Sequence, residues 1–242
     1  MGAVITVKNL IKIYKVGSDK VVALNDVTFS IEEGEICCIL GTSGSGKSTL
    51  LNMLAGLEKP TRGEIVIGGQ HIEKMNEKRI TKFRQKNVGF VFQSYNLLHG
   101  ITALENVAMP LTFRGVRKKK REKIAFLMLA MVGLAKRVRH KPTQMSGGQQ
   151  QRVGIARAFA ARPKIVFADE PTGNLDTRTT IEVMELMVTL SRKNNRTLVL
   201  VTHDQEIAAY ADRIIKLRDG EIVSDERFNV NLKQPQSVKV ST

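Results

Sequence analysis

The sequence predicts an α/β fold: a mainly parallel sheet flanked by helices, with an antiparallel β subdomain and an inserted α-helical subdomain. Three observations predict it. Short apolar strands alternate with helical segments along most of the chain. A glycine-rich turn, Gly41-Thr42-Ser43-Gly44-Ser45-Gly46-Lys47-Ser48-Thr49, joins an apolar run to a helix-forming one. From Thr102 to Lys141 the pattern becomes almost wholly helical. With 242 residues and 42% hydrophobic content, the chain makes one large domain, or one domain with a subdomain inserted.

Ala3 to Lys8 alternates and is β-branched, so it reads as a strand. Met1-Gly2-Ala3-Val4-Ile5-Thr6 also fits a loose myristoylation pattern, but the start of that strand is the simpler reading. Val21 to Ile31 reads as a strand pair, with Asn25-Asp26 as a turn or bulge signal. Glu35 to Leu40 is an apolar strand before the glycine turn, and Thr49 to Ala55 is the helix after it. Cys37 and Cys38 adjoin within that strand, where neighbours face opposite ways, so they read as buried apolar groups rather than a disulfide.

Glu58 to Gly63 is a turn, Glu64 to Ile67 a strand, Lys78 to Gln85 a helix, and Val88 to Phe92 a strand ending at Gln93. Thr102 caps a helix to Leu111, and a second helix spans about Arg117 to Val132. Gly147 to Ala160 is a third, followed by the strand Lys164 to Ala168. Thr177 to Arg192 is an amphipathic helix, Thr197 to Val201 a strand, and Arg213 to Leu217 with Glu221 to Ser224 a hairpin around Asp219-Gly220. Asn229 to Thr242 lacks periodicity and reads as a flexible tail.

The turn fits G-x-x-x-x-G-K-[ST], the phosphate-binding P-loop, so the fold is read as a P-loop NTPase core. Its glycines allow backbone N–H groups to turn inward onto phosphate oxygens, and Lys47 adds a point charge. The Ser48 hydroxyl can ligate Mg²⁺, and the helix dipole favours the anion. In a parallel sheet, ligands sit at the carboxyl ends of the strands. The P-loop, Gln93, Asp169-Glu170 and His203 all follow apolar strands, so they are expected on one edge. Asp169 is placed to hold the metal and Glu170 to polarise the attacking water. His203 is a candidate γ-phosphate contact, and Gln93 can touch both metal and water. ATP and Mg²⁺ are the implied ligands.

Lysine and arginine outnumber acids 38 to 23, for a net charge of +15, which points to an anionic partner. Two basic runs, Arg117 to Lys123 and Lys136 to Lys141, read as solvated faces or as contacts with anionic lipid headgroups. No aromatic residues interleave with them, so nucleic acid is not expected. No stretch resembles a membrane span or a signal peptide, so a cytoplasmic chain is expected.

Met145-Ser146-Gly147-Gly148-Gln149-Gln150-Gln151-Arg152 resembles the signature motif of the ATP-binding cassette (ABC) ATPases, with Met where Leu is usual. The P-loop, Gln93, this signature, Asp169-Glu170, the loop Asn174-Leu175-Asp176 and His203 occur in that family's order. The resemblance implies an ABC nucleotide-binding domain over 1–228, with a helical subdomain at about 94–160. It implies a head-to-tail homodimer with ATP clamped between Gly41 to Thr49 of one subunit and Ser146, Gly147 and Gly148 of the other, with Gln149 and Asp176 also among the nucleotide-binding residues. It also implies adenine stacking on Tyr14. A separate membrane permease would then hold the chain peripherally at the inner face of the cell membrane. Gln93 to Leu98, Thr102 to Val107 and Ala168 to Asp176 resemble the subgroup serving lipoprotein release, macrolide export and antimicrobial-peptide resistance. The alternative is a cell-division ATPase that signals through a permease to cell-wall hydrolases. A soluble ATPase of DNA repair or translation fits poorly, since the long coiled-coil insertion or second cassette it needs is missing.

Overall fold

The computed structural model describes residues 2–228. The predicted tail, Asn229 to Thr242, lies outside the described residues, as does Met1 of the myristoylation pattern.

β1 (Ala3–Val16) and β2 (Asp19–Glu32) form one long antiparallel ribbon. Both are longer than the sequence suggests. Val21 to Ile31 is not a strand pair but part of a single strand, because Asn25-Asp26 is a bulge. Leu24 pairs with Lys12 and Val27 with Leu10, so two residues oppose Ile11 alone. A second bulge sets Lys8 and Asn9 against Thr28. Asn9 and Asp26 adopt left-handed φ values of 46° and 51°. The Asn9 amide donates to Asp26 Oδ1 at 2.8 Å. Bulges of this kind bend a strand without ending it. β4 (Arg62–Ile67) pairs with the other side of β1, and β5 (Gln70–His71) completes a four-stranded antiparallel sheet.

The second sheet contains β3 (Ile36–Leu40), β6 (Val88–Val91), β7 (Ile165–Asp169), β8 (Thr197–Thr202), β9 (Arg213–Arg218) and β10 (Glu221–Arg227), in the order β10-β9-β3-β8-β7-β6. Only β10 runs antiparallel to its neighbour. Its turn from β9 places Asp219 and Gly220 at φ 48° and 81°. Two successive positive φ values are the twist-matched hairpin geometry.

Helices cover both faces of this sheet. α1 (Lys47–Leu54) and α2 (Glu77–Asn87) share one hydrophobic cluster with the antiparallel sheet. α3 (Ala103–Phe113), α4 (Lys118–Met131), α5 (Gly147–Ala160), α6 (Thr177–Lys193) and α7 (Gln205–Ala208) share the other. Burial on two faces explains why β3, β7 and β8 read as unbroken apolar runs. Cys37 joins one cluster and Cys38 the other, both free and buried. Burial pushes the Cys38 thiol up to about 12, so it stays neutral. Among the described residues no helix is long and apolar enough to cross a membrane.

α3 begins at the expected cap, Thr102, which forms a capping box with Glu105. Thr102 Oγ1 accepts from the Glu105 amide at 3.3 Å, and Glu105 accepts from the Thr102 amide at 2.8 Å. One turn in, the fully buried Asn106 stitches the preceding loop to the helix. Its side chain accepts from Leu98 N at 2.9 Å and donates to Leu98 O at 3.1 Å and Thr102 O at 3.0 Å. Asn106→Ala leaves buried backbone groups unpaired, so unfolding free energy is expected to fall by about 2–3 kcal/mol. The urea midpoint measures this, and an unshifted midpoint would show that the stitch contributes nothing.

Candidate functional site

The loop between β3 and α1 is fixed by what surrounds it. A Cβ on Gly41 would lie 2.3 Å from the Leu217 carbonyl oxygen, and one on Gly46 would lie 2.4 Å from that of Ala23. Gly46 also caps α1 in a left-handed conformation, with no side-chain cap and no acid in the first turn. The first-turn N–H groups and the helix dipole are thereby left to an anion. Ser43 and Gly44 are exposed, whereas Ser45 is buried with an unpaired hydroxyl.

Lys47 is 5% exposed, and its ammonium donates to the Thr42 carbonyl at 2.6 Å. Burial lowers its pKa, while the Glu170 and Asp169 carboxylates oppose that fall. Ser48 Oγ donates to Asp169 Oδ1 at 3.3 Å. Burial raises the pKa of Asp169, Ser48 and Lys47 lower it, and the neighbouring Glu170 charge adds to the rise. Hydroxyl and carboxylate oxygens side by side suit a hard divalent cation such as Mg²⁺.

Strand register accounts for this gathering. Leu40 aligns with Thr202 and Asp169 with Val201, so β3, β7 and β8 end together. Glu170 follows β7 in a left-handed conformation, φ 42°, held by its N–H donating to Val201 O at 2.9 Å. That turn aims its carboxylate at His203, whose Nδ1 lies 3.0 Å from Glu170 Oε1. Gly41, Thr42, Ser43, Glu170 and His203 line a cleft of about 660 Å³, shared with Gln205, Lys216 and Arg218.

Tyr14 stands at the start of α1. Its hydroxyl donates to Glu58 Oε2 at 2.8 Å, and Lys12 Nζ lies 4.9 Å from the ring centroid. Burial raises its pKa, which the neighbouring Thr49 hydroxyl opposes.

Ser146, Gly147, Gly148, Gln149 and Asp176 form a second cluster, where α5 and α6 begin side by side. Ser146 caps α5, its Oγ accepting from the Gln149 amide at 3.3 Å, while Gln149 Oε1 accepts from Ser146 N at 3.2 Å. A Cβ on Gly147 would lie 2.8 Å from the Tyr95 hydroxyl, and one on Gly148 2.6 Å from Thr179 Cγ2. Asp176 caps α6 by accepting from Thr179 N at 2.9 Å and Thr179 Oγ1 at 2.7 Å. Those bonds hold the Asp176 carboxyl below its usual range. Among the described residues, no hydrogen bond joins Ser146 to Gln149 with the Gly41 to Ser48 loop. Gln93 stands beside the turn after Glu170: a Cβ on Gly173 would lie 2.7 Å from its Nε2, and its carbonyl accepts from Asn174 at 3.2 Å.

Three further residues matter. Gln151, fully buried on α5, donates to the carbonyls of Phe92 and Pro171 and so ties the Gln93 loop to the turn carrying Glu170. The only sequence signal was a third consecutive glutamine on an otherwise apolar helix face. Lys216 and Arg218 bring positive charge to the cleft. They become visible once β9 is known to run parallel beside β3.

The family described as "ABC transporter" matches residues 24–173. An uncharacterized ABC transporter ATP-binding protein of Methanocaldococcus jannaschii is 51% identical over 219 residues, covering 90% of this chain and 97% of that protein. The lipoprotein-releasing system ATP-binding protein LolD of Legionella pneumophila is 48% identical, covering 92% and 98%. Among solved structures, the dimeric bacterial ABC transporter cassette MJ0796 matches with a TM-score of 0.86 at 45% identity, covering 92% and 98%. Its dimeric post-hydrolysis state bound to ADP and Pi gives 0.85 at 44% identity, with the same coverage. The chain therefore belongs to the ABC transporter family, as an ATP-binding, ATP-hydrolysing subunit of the subgroup that includes LolD.

Proposed function

We propose that this chain drives a membrane permease by closing, with ATP, into a head-to-tail homodimer. The observation that carries this is the division of the site into two clusters on one chain. Gly41 to Thr49, Asp169, Glu170 and His203 make a phosphate-facing half. Ser146 to Gln149 open a second helix N-terminus, on α5, which makes no hydrogen bond with that half among the described residues. A second copy of the chain completes each half.

In the closed dimer, Lys47 and the α1 amides bind the β- and γ-phosphates. Ser48, Asp169 and Gln93 would hold Mg²⁺, which supplies charge neutralisation when bound. Glu170 accepts a proton from the attacking water. His203, already within hydrogen-bond distance of Glu170, orients that carboxylate and faces the γ-phosphate. Tyr14 stacks on the base, and Ser146, Gly147, Gly148, Gln149 and Asp176 close over the nucleotide from the partner. Gln93 and Gln151 connect the reacting edge to α5, so hydrolysis is felt in the helical region, about 94–160, that meets the permease. The permease, a separate chain, places the ATPase at the inner face of the membrane.

Ser146→Arg tests the division. Nucleotide affinity of the monomer is expected to stay within about twofold, because no phosphate contact of the first half is touched, while binding across the interface is lost. ATP-dependent dimerisation on size exclusion and ATP turnover should both disappear. Loss of nucleotide binding by the monomer would instead place Ser146 in the same half-site as Lys47.

A further inference from the structure

Residues 114–123 and 136–141 together hold eleven lysine and arginine side chains against one acid, Glu122. Much of the net charge of +15 is therefore gathered around one helix, α4. Its inward face carries the buried Ala125 and Leu129. Its outward face carries Lys119, Lys120 and Lys123 in the first turns, then Phe126, Leu127 and Met131. The last three are 44%, 51% and 51% exposed, and Phe113, at the end of the preceding helix, is 65% exposed. Among the described residues, none of those three lysines makes a salt bridge, whereas Lys118 pairs with Glu122 at 4.0 Å. The segment following α4, Lys136 to Lys141, docks on the start of α3, where Ala103 N donates to His140 O at 2.8 Å and Leu104 N to Val138 O at 3.0 Å. The exposed apolar group thus has basic residues beyond both ends of the helix.

We infer that this face of α4 docks directly on an anionic lipid surface. Long-stemmed lysines reach headgroup phosphates while aromatic and aliphatic side chains enter the headgroup–acyl boundary. A purely solvated face would need the lysines but not the exposed Phe126, Leu127 and Met131 beside them. An acidic protein surface would match the charge but offers no reason for an exposed apolar band between the two basic ends. The contact is independent of ATP chemistry and would set the orientation of the cassette beneath a permease.

The test is sedimentation of the full chain with vesicles of equimolar phosphatidylglycerol and phosphatidylcholine, or of phosphatidylcholine alone. Binding is expected only to the anionic vesicles, and is expected to fall as salt rises from about 0.05 to about 0.5 M. Reversing the patch with Lys119→Glu, Lys120→Glu and Lys123→Glu should reduce binding roughly tenfold or more, with soluble ATP hydrolysis unchanged. The same charge change made elsewhere, by Lys74→Glu, Lys82→Glu and Lys193→Glu, should leave most of the binding intact. Phe126→Ser with Leu127→Ser should weaken binding while the charges remain. Equal loss in the two charge-reversed proteins would reduce the effect to net charge and overturn the inference. So would full binding by the serine variant, or wild-type indifference to both kinds of vesicle. Hydrolysis in solution is measured alongside, so failure here stays distinct from failure of the ATPase reading.

Discussion

Glu170→Gln is expected to lower ATP turnover by roughly 10²-fold or more while leaving ATP binding intact, and to accumulate a stable ATP-bound dimer on size exclusion. The amide keeps the shape of the carboxylate but cannot take a proton from water. Such a loss corresponds to about 2.7 kcal/mol of transition-state stabilisation. The geometry makes the substitution clean. Glu170 is set by its backbone bond to Val201 and by its left-handed conformation, neither of which depends on the side-chain charge. The His203 contact at 3.0 Å can be kept by the glutamine oxygen. Normal turnover in the variant would remove Glu170 from the role of base. A slow enzyme that never dimerises would instead count against closure as the ATP-driven step.

Lys47→Ala is expected to weaken ATP binding by roughly 10²-fold or more, since it deletes the buried cation of the phosphate cradle. The ammonium now rests on the Thr42 carbonyl at 2.6 Å, within the field of both Asp169 and Glu170. Its removal leaves two adjacent carboxylates without that charge, which also opposes an incoming polyphosphate. Calorimetric titration with ATP measures the loss. Because Lys47 makes no salt bridge among the described residues, the thermal midpoint should move far less than the affinity. Unaltered affinity would show that the amides of α1 bind the phosphates alone.

Much of this was readable in advance, for identifiable reasons. β3, β7 and β8 stood out because strands buried on both faces lose the alternation that marks half-exposed ones. The cap at Thr102 is legible because a helix start has few chemical solutions, whereas the caps at Ser146 and Asp176 emerge only in the structure. β1 and β2 were shortened or divided because polar bulge residues such as Asn9 and Asp26 resemble the end of a strand. Gln151 went unnoticed because its value lies in two carbonyls, Phe92 and Pro171, far from it in sequence.

The P-loop pattern from Gly41 to Thr49 is legible in the sequence, because its residue types stand at fixed local spacing. So are the acids at the end of β7 and the Met145 to Arg152 motif that opens α5, since each is contiguous. Which of these motifs stand together is decided only by the tertiary fold. β3 lies between β8 and β9, strands more than a hundred residues later in the chain, and that order brings Lys47, Asp169, Glu170 and His203 to one edge. It leaves Gly147 beside Tyr95 and Gly148 beside Thr179. Local spacing encodes what each motif can bind. Only the pairing of distant strands determines which motifs meet.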